Sequence, residues 1–170
     1  AIAIVWRIKL SEQLVVAAAP IGAAFTAITL VTGALWGKPT WGTYWVWDAR
    51  LTSELVLLFL YFGVIGLERA IEDRRKAARA ASLLAIVGVV NLPIIHFSVK
   101  WWNTLHQGAT ISMTAAPKMA HTMLTAMLLM TFACWAYAFA VVFMRTRAIV
   151  VEREQHTEWV SEMVRKPGAG

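Results

Sequence analysis

Four long stretches of this chain are apolar almost without interruption, and the segments between them are either charged or crowded with aromatic rings. Residues 14–36 carry no charge. Residues 51–67 form a shorter run with Glu54 near its start. Residues 80–99 are uncharged, with Pro93 and His96 toward the end, and 119–144 form a fourth uncharged run with His121 near its start. A helix needs about 20 mostly apolar residues to cross a bilayer. Backbone inside hydrocarbon has to satisfy its own hydrogen bonds, so each run is predicted to be helical. Residues 1–6 are apolar but short and are closed by Arg7 and Lys9, which reads as the last turns of a preceding helix. The expectation is an all-α polytopic membrane protein: one integral membrane domain over 1–170, with four full spans and the end of an earlier one.

Composition agrees. Hydrophobic residues make up 59% of the 170 and charged residues only 15%, outside the range of soluble domains. The formal net charge of +6 would suit nucleic acid, but its distribution argues against that partner. Twelve of the sixteen bases (Arg7, Lys9, Arg69, Arg74, Arg75, Lys76, Arg79, Arg145, Arg147, Arg153, Arg165, Lys166) fall on one side of the predicted spans. Four (Lys38, Arg50, Lys100, Lys118) fall on the other. That asymmetry is the positive-inside bias, and the basic side also attracts anionic membrane lipids. It assigns the 68–79 loop and the 145–170 tail to the cytoplasm and the loops 36–54 and 100–118 to the opposite face. Within 68–79, the i,i+4 pair Glu72–Lys76 predicts that a helix runs on into water. The tail, with mixed charges and Trp159, is predicted to hold a short helix along the membrane. Cys134, the lone cysteine, lies inside the last apolar run and is read as a packing residue.

The 36–54 loop carries the densest chemistry. Trp36, Trp41, Tyr44, Trp45 and Trp47 place five large rings in twelve positions, with Asp48 and Arg50 directly after. Gly37, Pro39 and Gly42 argue against regular structure there. Two readings stand. One is an interfacial aromatic belt. The other is a flat apolar shelf for a large planar ligand with a charged edge, and it is favoured because a belt uses one or two rings per helix end. The 100–118 loop opens Lys100-Trp101-Trp102-Asn103-Thr104-Leu105-His106-Gln107-Gly108, adding two rings and a histidine on the same side. Rings against a macrocycle, imidazole on iron and a base near the propionates are what heme requires. Structural zinc, which takes four ligands, is not supported by the spacing.

Each candidate has a plainer alternative. His106 is either an iron ligand or a structural hydrogen-bonding residue. His96 either serves function within the span or satisfies a helix turn broken around Asn91 and Pro93. His121 reads as an interfacial hydrogen-bonding residue, and His156 has no assigned role. Asp48, Arg50 and Glu54 form either a local ion-pair cluster seating the loop or, through Arg50, a bidentate clamp on a propionate. Lys38 and Lys100 are second candidates for that clamp. Met113, Met119 and Met123 offer soft ligands but are ordinarily packing residues. The chain shows no nucleophile–base set and no glycine-rich phosphate loop, so any nucleotide hydrolysis would belong to a partner.

Two long runs carry a resemblance. Within Trp36-Gly-Lys-Pro-Thr-Trp-Gly-Thr-Tyr-Trp-Val-Trp-Asp-Ala-Arg-Leu-Thr-Ser-Glu, the segment Trp41–Asp48 resembles the tryptophan-rich WWD signature of membrane heme-handling proteins. With Val90-Asn-Leu-Pro-Ile-Ile-His-Phe-Ser-Val-Lys-Trp-Trp-Asn-Thr-Leu-His-Gln-Gly that whole run resembles the heme exporter protein C (CcmC) family of cytochrome c maturation. The resemblance extends over nearly the whole chain. It implies six spans in the intact chain, in a bacterial inner membrane, with heme b held on the periplasmic side. It also implies transfer of that heme to the chaperone CcmE, in an ABC-transporter-like complex with the ATPase CcmA and the subunits CcmB and CcmD. By the same resemblance the protein is a binding and transfer subunit, not an enzyme. The implied heme-binding residues are Trp36, Trp41, Tyr44, Trp45, Trp47, Asp48, Arg50, Trp101, Trp102 and His106. His106 matches the later of the family's two axial histidines, and the earlier one has no counterpart here. Tyr44 stands where many members carry Trp. A b-type heme redox subunit is the alternative; it would bury paired histidines within the spans, where His96 is the one deep candidate.

Overall fold

The computed structural model describes residues 9–102, 104–106, 117 and 119–165. Five helices follow one another: α1 Lys9–Trp41, α2 Ala49–Ala70, α3 Arg74–Trp101, α4 His121–Arg153 and α5 Glu158–Arg165. The first four are long and apolar enough to cross a membrane, and among the described residues there is no strand. The expected apolar stub at 1–6, and within the 100–118 loop Asn103, residues 107–116 and Lys118, lie outside the described residues.

The spans are longer than their apolar runs, and the ends show why. α1 passes through Gly37 and Pro39 to Trp41, whereas the sequence reading placed 36–41 in a loop. Proline removes a single backbone donor, and spanning helices tolerate that loss when nearby groups re-satisfy the turn. The carbonyl that Pro39 leaves without its donor is that of Leu35, and in the same turn the Thr40 hydroxyl donates to the Trp36 carbonyl at 2.9 Å. The stop comes at Gly42, whose φ of +77° is the left-handed conformation glycine adopts at a helix C-terminus. Its N–H bonds the Lys38 carbonyl at 3.0 Å, and Lys38 Nζ reaches the Gly42 carbonyl at 3.1 Å. Pro93 likewise sits inside a continuous α3, so His96 repairs no broken turn. Asn91, buried beside it, instead donates from Nδ2 to the Ser53 carbonyl of α2 at 2.9 Å. α4 runs past Met144 through Arg145 and Arg147.

At the basic end, the predicted continuation through Glu72 and Lys76 does not occur. Asp73 caps α3 by accepting from the Arg75 and Lys76 amides at 2.9 and 3.2 Å. Those two amides hold its exposed carboxyl below the ordinary range. Lys76 pairs with Asp73 at 3.8 Å rather than with Glu72. A local cap outcompetes the i,i+4 pair because it satisfies orphan amide donors as well as charge.

Packing centres on α2 and α3, with α1 laid across both and α4 resting mainly on α1. Ala19, Val64 and Ala81 form the innermost cluster, surrounded by Val15, Tyr61, Ile65, Leu84 and Ala85. Small residues at the contacts (Ala77, Ala78 and Ala81 on α3) allow close backbone approach, the usual route to cohesion in lipid. Gly22 belongs to the same device: a Cβ there would overlap the Tyr61 ring. α4 is the outlier, because only Thr146 of its residues is buried and Tyr137 meets Phe25 edge-on at 6.4 Å.

Candidate functional site

The site lies where the α1–α2 loop meets the segment that follows α3. Asp48 is its organiser. The residue is the N-cap of α2, with extended backbone and Oδ1 accepting from the Leu51 amide at 2.8 Å. An aspartate there is expected, because its oxygen satisfies an orphan amide and its charge meets the positive helix end. Its second oxygen, Oδ2, faces the other loop. It accepts a short hydrogen bond from the Thr104 hydroxyl and lies 2.8 Å from Nδ1 of His106. The Thr104 oxygen also accepts from the His106 amide at 3.1 Å. One carboxylate thus ties two loops that are 56 and 58 residues apart in sequence.

Electrostatics settles which proton sits where. Asp48 is buried, and burial alone would raise its pKa. The Thr104 hydroxyl, the Leu51 amide and His106 together outweigh that and hold it below its ordinary value of 3.8. At neutral pH it is therefore ionised and can only accept, so His106 Nδ1 must be the donor. In the neutral tautomer that donates from Nδ1, the free lone pair of an imidazole lies on Nε2. This is the carboxylate–histidine arrangement that orients metal-ligating imidazoles.

Rings gather around this pair. Trp41 meets the His106 ring edge-on at 4.7 Å and 68°, and Trp36 backs Trp41 at 5.4 Å and 86°. Trp45 and Trp47 form a second edge-on pair at 5.4 Å and 74°. Tyr44 lies under Lys38, whose Nζ is 5.2 Å from the ring centre. At the end of α3, Trp101 stacks on Phe97 at 5.3 Å and meets Trp102 edge-on at 5.9 Å. The expected flat shelf is therefore corrected: neighbouring rings of the loop stand nearly perpendicular, the geometry that aromatic quadrupoles prefer. Trp36, Tyr44, Trp47, Trp101 and Trp102 are all more than half exposed, and the Trp45 indole N–H is buried with no hydrogen-bond partner among the described residues.

Of the expected residues, the structure brings Trp36, Trp41, Asp48 and His106 into contact. Among the described residues, no ring contact joins Trp101 or Trp102 to that group, and no ion pair links Asp48 to Arg50. The local ion-pair cluster is corrected accordingly: Asp48 takes its partners from the second loop, and among the described residues no ion pair within 4.0 Å joins Arg50 to Glu54. Thr104 was missed, although it stands two residues before His106 within the quoted motif. His96 and His121 are exposed; His96 meets Phe97 edge-on. Among the described residues no cluster of three His, Cys, Asp or Glu could hold a metal ion by itself. A cavity of about 220 Å³ between α1, α2 and α3 is walled by aliphatic residues, Gly88 and Tyr61.

Comparison with known proteins identifies the relatives of this arrangement. The family model "Heme exporter protein C" matches residues 1–161. The chain is 52% identical over 168 residues to heme exporter protein C of Escherichia coli (strain K12), covering 98% of this chain and 67% of that protein. It is 49% identical over 162 residues to heme exporter protein C of Haemophilus influenzae, covering 95% and 66%. It is 48% identical over 151 residues to heme exporter protein C of Bradyrhizobium diazoefficiens, covering 89% and 56%. The chain thus spans between about half and two thirds of the length of these relatives.

Proposed function

The chain belongs to the heme exporter protein C family, and from that premise we propose that it holds heme b as cargo at the outer membrane face and presents it for transfer to the chaperone CcmE. The observation that carries this reading is the Asp48–His106 contact of 2.8 Å. It supplies an imidazole whose free nitrogen is Nε2, beside exposed indole rings. The donor set fits heme. Nε2 of His106 would take one axial position on iron, and the second axial ligand would come from outside this segment. Trp36, Trp41, Tyr44, Trp45, Trp47, Trp101 and Trp102 would line the macrocycle. Arg50 would meet a propionate, with Lys38 and Lys100 near the same edge. The lone cysteine, Cys134, lies thirteen residues beyond His121 in α4, about 20 Å along its axis, and is read as a packing residue rather than as part of the site.

The half-exposed rings suit delivery better than storage, since a shallow site leaves an edge of the cargo open to an acceptor. ATP hydrolysis belongs to CcmA, with CcmB and CcmD completing the complex. The twelve-to-four division of bases supports a periplasmic heme site and a cytoplasmic C-terminus in the bacterial inner membrane.

Transfer is tested by purifying CcmE from cells making the full-length protein and measuring its heme. Wild type is expected to load the chaperone, and Trp47→Ala/Trp101→Ala to lower heme on both partners. Undiminished CcmE loading in cells whose full-length protein carries His106→Ala would overturn the proposal. For the edge, Arg50→Lys should keep heme that Arg50→Ala loses, and equal retention by both would remove the propionate role.

A further inference from the structure

At the end of the bundle away from the tryptophan loops, a small cavity of about 50 Å³ opens between α1, α2 and α4. Its floor and wall are apolar, including Val16, Ala19 and Pro20 of α1. Its mouth carries Glu68 and Arg69 from the last turn of α2 and Arg145 from α4. Two guanidiniums from different helices thus border one opening, against one carboxylate, for a local formal charge of +1 (two positive, one negative). Among the described residues no ion pair within 4.0 Å joins Glu68 to either arginine. The arginines are exposed and Glu68 is half-buried.

Depth identifies the class of ligand. Arg69 lies twenty residues beyond Ala49, about 30 Å along α2, which matches the hydrocarbon thickness of a bilayer. Arg145 lies twenty-four residues beyond His121, about 36 Å along α4. Both heads therefore reach the headgroup layer, while Val16, Ala19 and Pro20 sit at the acyl boundary. α4 packs mainly on α1, so little protein bridges α4 to α2 at this level, and the two like charges repel unless an anion sits between them. We infer that this crevice is a binding site for the phosphate of an anionic phospholipid, with Arg69 and Arg145 sharing the phosphodiester and Glu68 facing a hydroxyl of the headgroup. A phosphodiester carries one negative charge, which neutralises the local +1. Fork-shaped guanidiniums suit its paired oxygens, and basic recesses between spans are the form such sites take.

The test is native mass spectrometry of the full-length protein in detergent, titrated with phosphatidylglycerol, phosphatidylcholine or inorganic phosphate. Wild type is expected to retain one phosphatidylglycerol that phosphatidylcholine does not replace. Arg69→Gln/Arg145→Gln should weaken that lipid about thirtyfold, about fivefold for each base removed. Arg69→Lys/Arg145→Lys should bind at an intermediate level, and Arg75→Gln/Arg79→Gln, exposed bases outside the crevice, should bind as wild type. Thermal unfolding in lipid-free detergent verifies that the variants are folded. Full retention of the adduct by the glutamine pair, or equal binding of phosphatidylcholine, would overturn the inference. Displacement by inorganic phosphate at millimolar concentration would make the ligand a soluble phosphate and overturn the lipid assignment.

Discussion

Replacing Asp48 with asparagine separates the two jobs of this carboxylate. Oδ1 caps α2 and Oδ2 holds Thr104 and His106. Asparagine is as good a cap as aspartate, so the α2 terminus should survive with the amide oxygen on the Leu51 N–H. The amide nitrogen then faces His106 Nδ1 and donates to it, which moves the imidazole proton to Nε2 and occupies the lone pair that the proposed iron ligation uses. Loss of such an outer partner weakens metal binding about 10- to 100-fold, equivalent to about 1.4–2.7 kcal/mol. Titrating heme into the full-length protein and following the Soret band gives the affinity, and thermal unfolding gives the stability. Asp48→Asn should lose affinity in that range with little change in stability, whereas Asp48→Ala should also lose about 1 kcal/mol of capping. Heme affinity within twofold of wild type in Asp48→Asn would refute the reasoning. The pH dependence follows from the lowered carboxyl. A carboxylate held down in the folded state stabilises fully above its unfolded value, 3.8, and loses that contribution as pH falls through the folded one. Wild type and Asp48→Ala should therefore differ by a constant amount at neutral pH and converge only below about 3.8.

Three further substitutions probe the scaffold by thermal unfolding in detergent. Gly22→Ala drives a methyl into the Tyr61 ring and should destabilise by about 1–3 kcal/mol. Gly63→Ala meets the Leu84 side chain, with Cδ2 at 2.7 Å and Cγ at 4.0 Å, and that branch end can swing aside, so it should destabilise less; the reverse order would contradict the packing. Asn91→Leu removes the α3–α2 bond to Ser53 and should lower stability by about 0.6–1.7 kcal/mol, with an unchanged midpoint counting against that bond.

The four spans were legible because the bilayer leaves so few options: a long uncharged run has to be a helix. Helix ends were less so. Pro39 looks like a terminator, yet α1 stops at Gly42, where the left-handed turn and the Lys38 contacts close it. Glu72 and Lys76 satisfy a helical spacing that the Asp73 cap interrupts. Asp48, His106 and the tryptophans could each be singled out by residue type, but not the bond between them. Partners 58 residues apart are joined by the packing of α2 on α3, which no local spacing reveals. Asp48 followed by Arg50 and Glu54 invites a local ion pair. The structure instead spends the acid on Thr104 and His106, because both sit within hydrogen-bond reach of a carboxylate already half engaged by its helix.

The most direct test of the proposed heme site is the visible absorption spectrum of the full-length protein purified together with CcmE and CcmD, wild type beside His106→Ala. A Soret band in wild type that is lost or shifted in the variant is the predicted result, and it would place His106 on the iron. Identical heme spectra from both preparations would contradict it and leave His106 as a structural partner of Asp48.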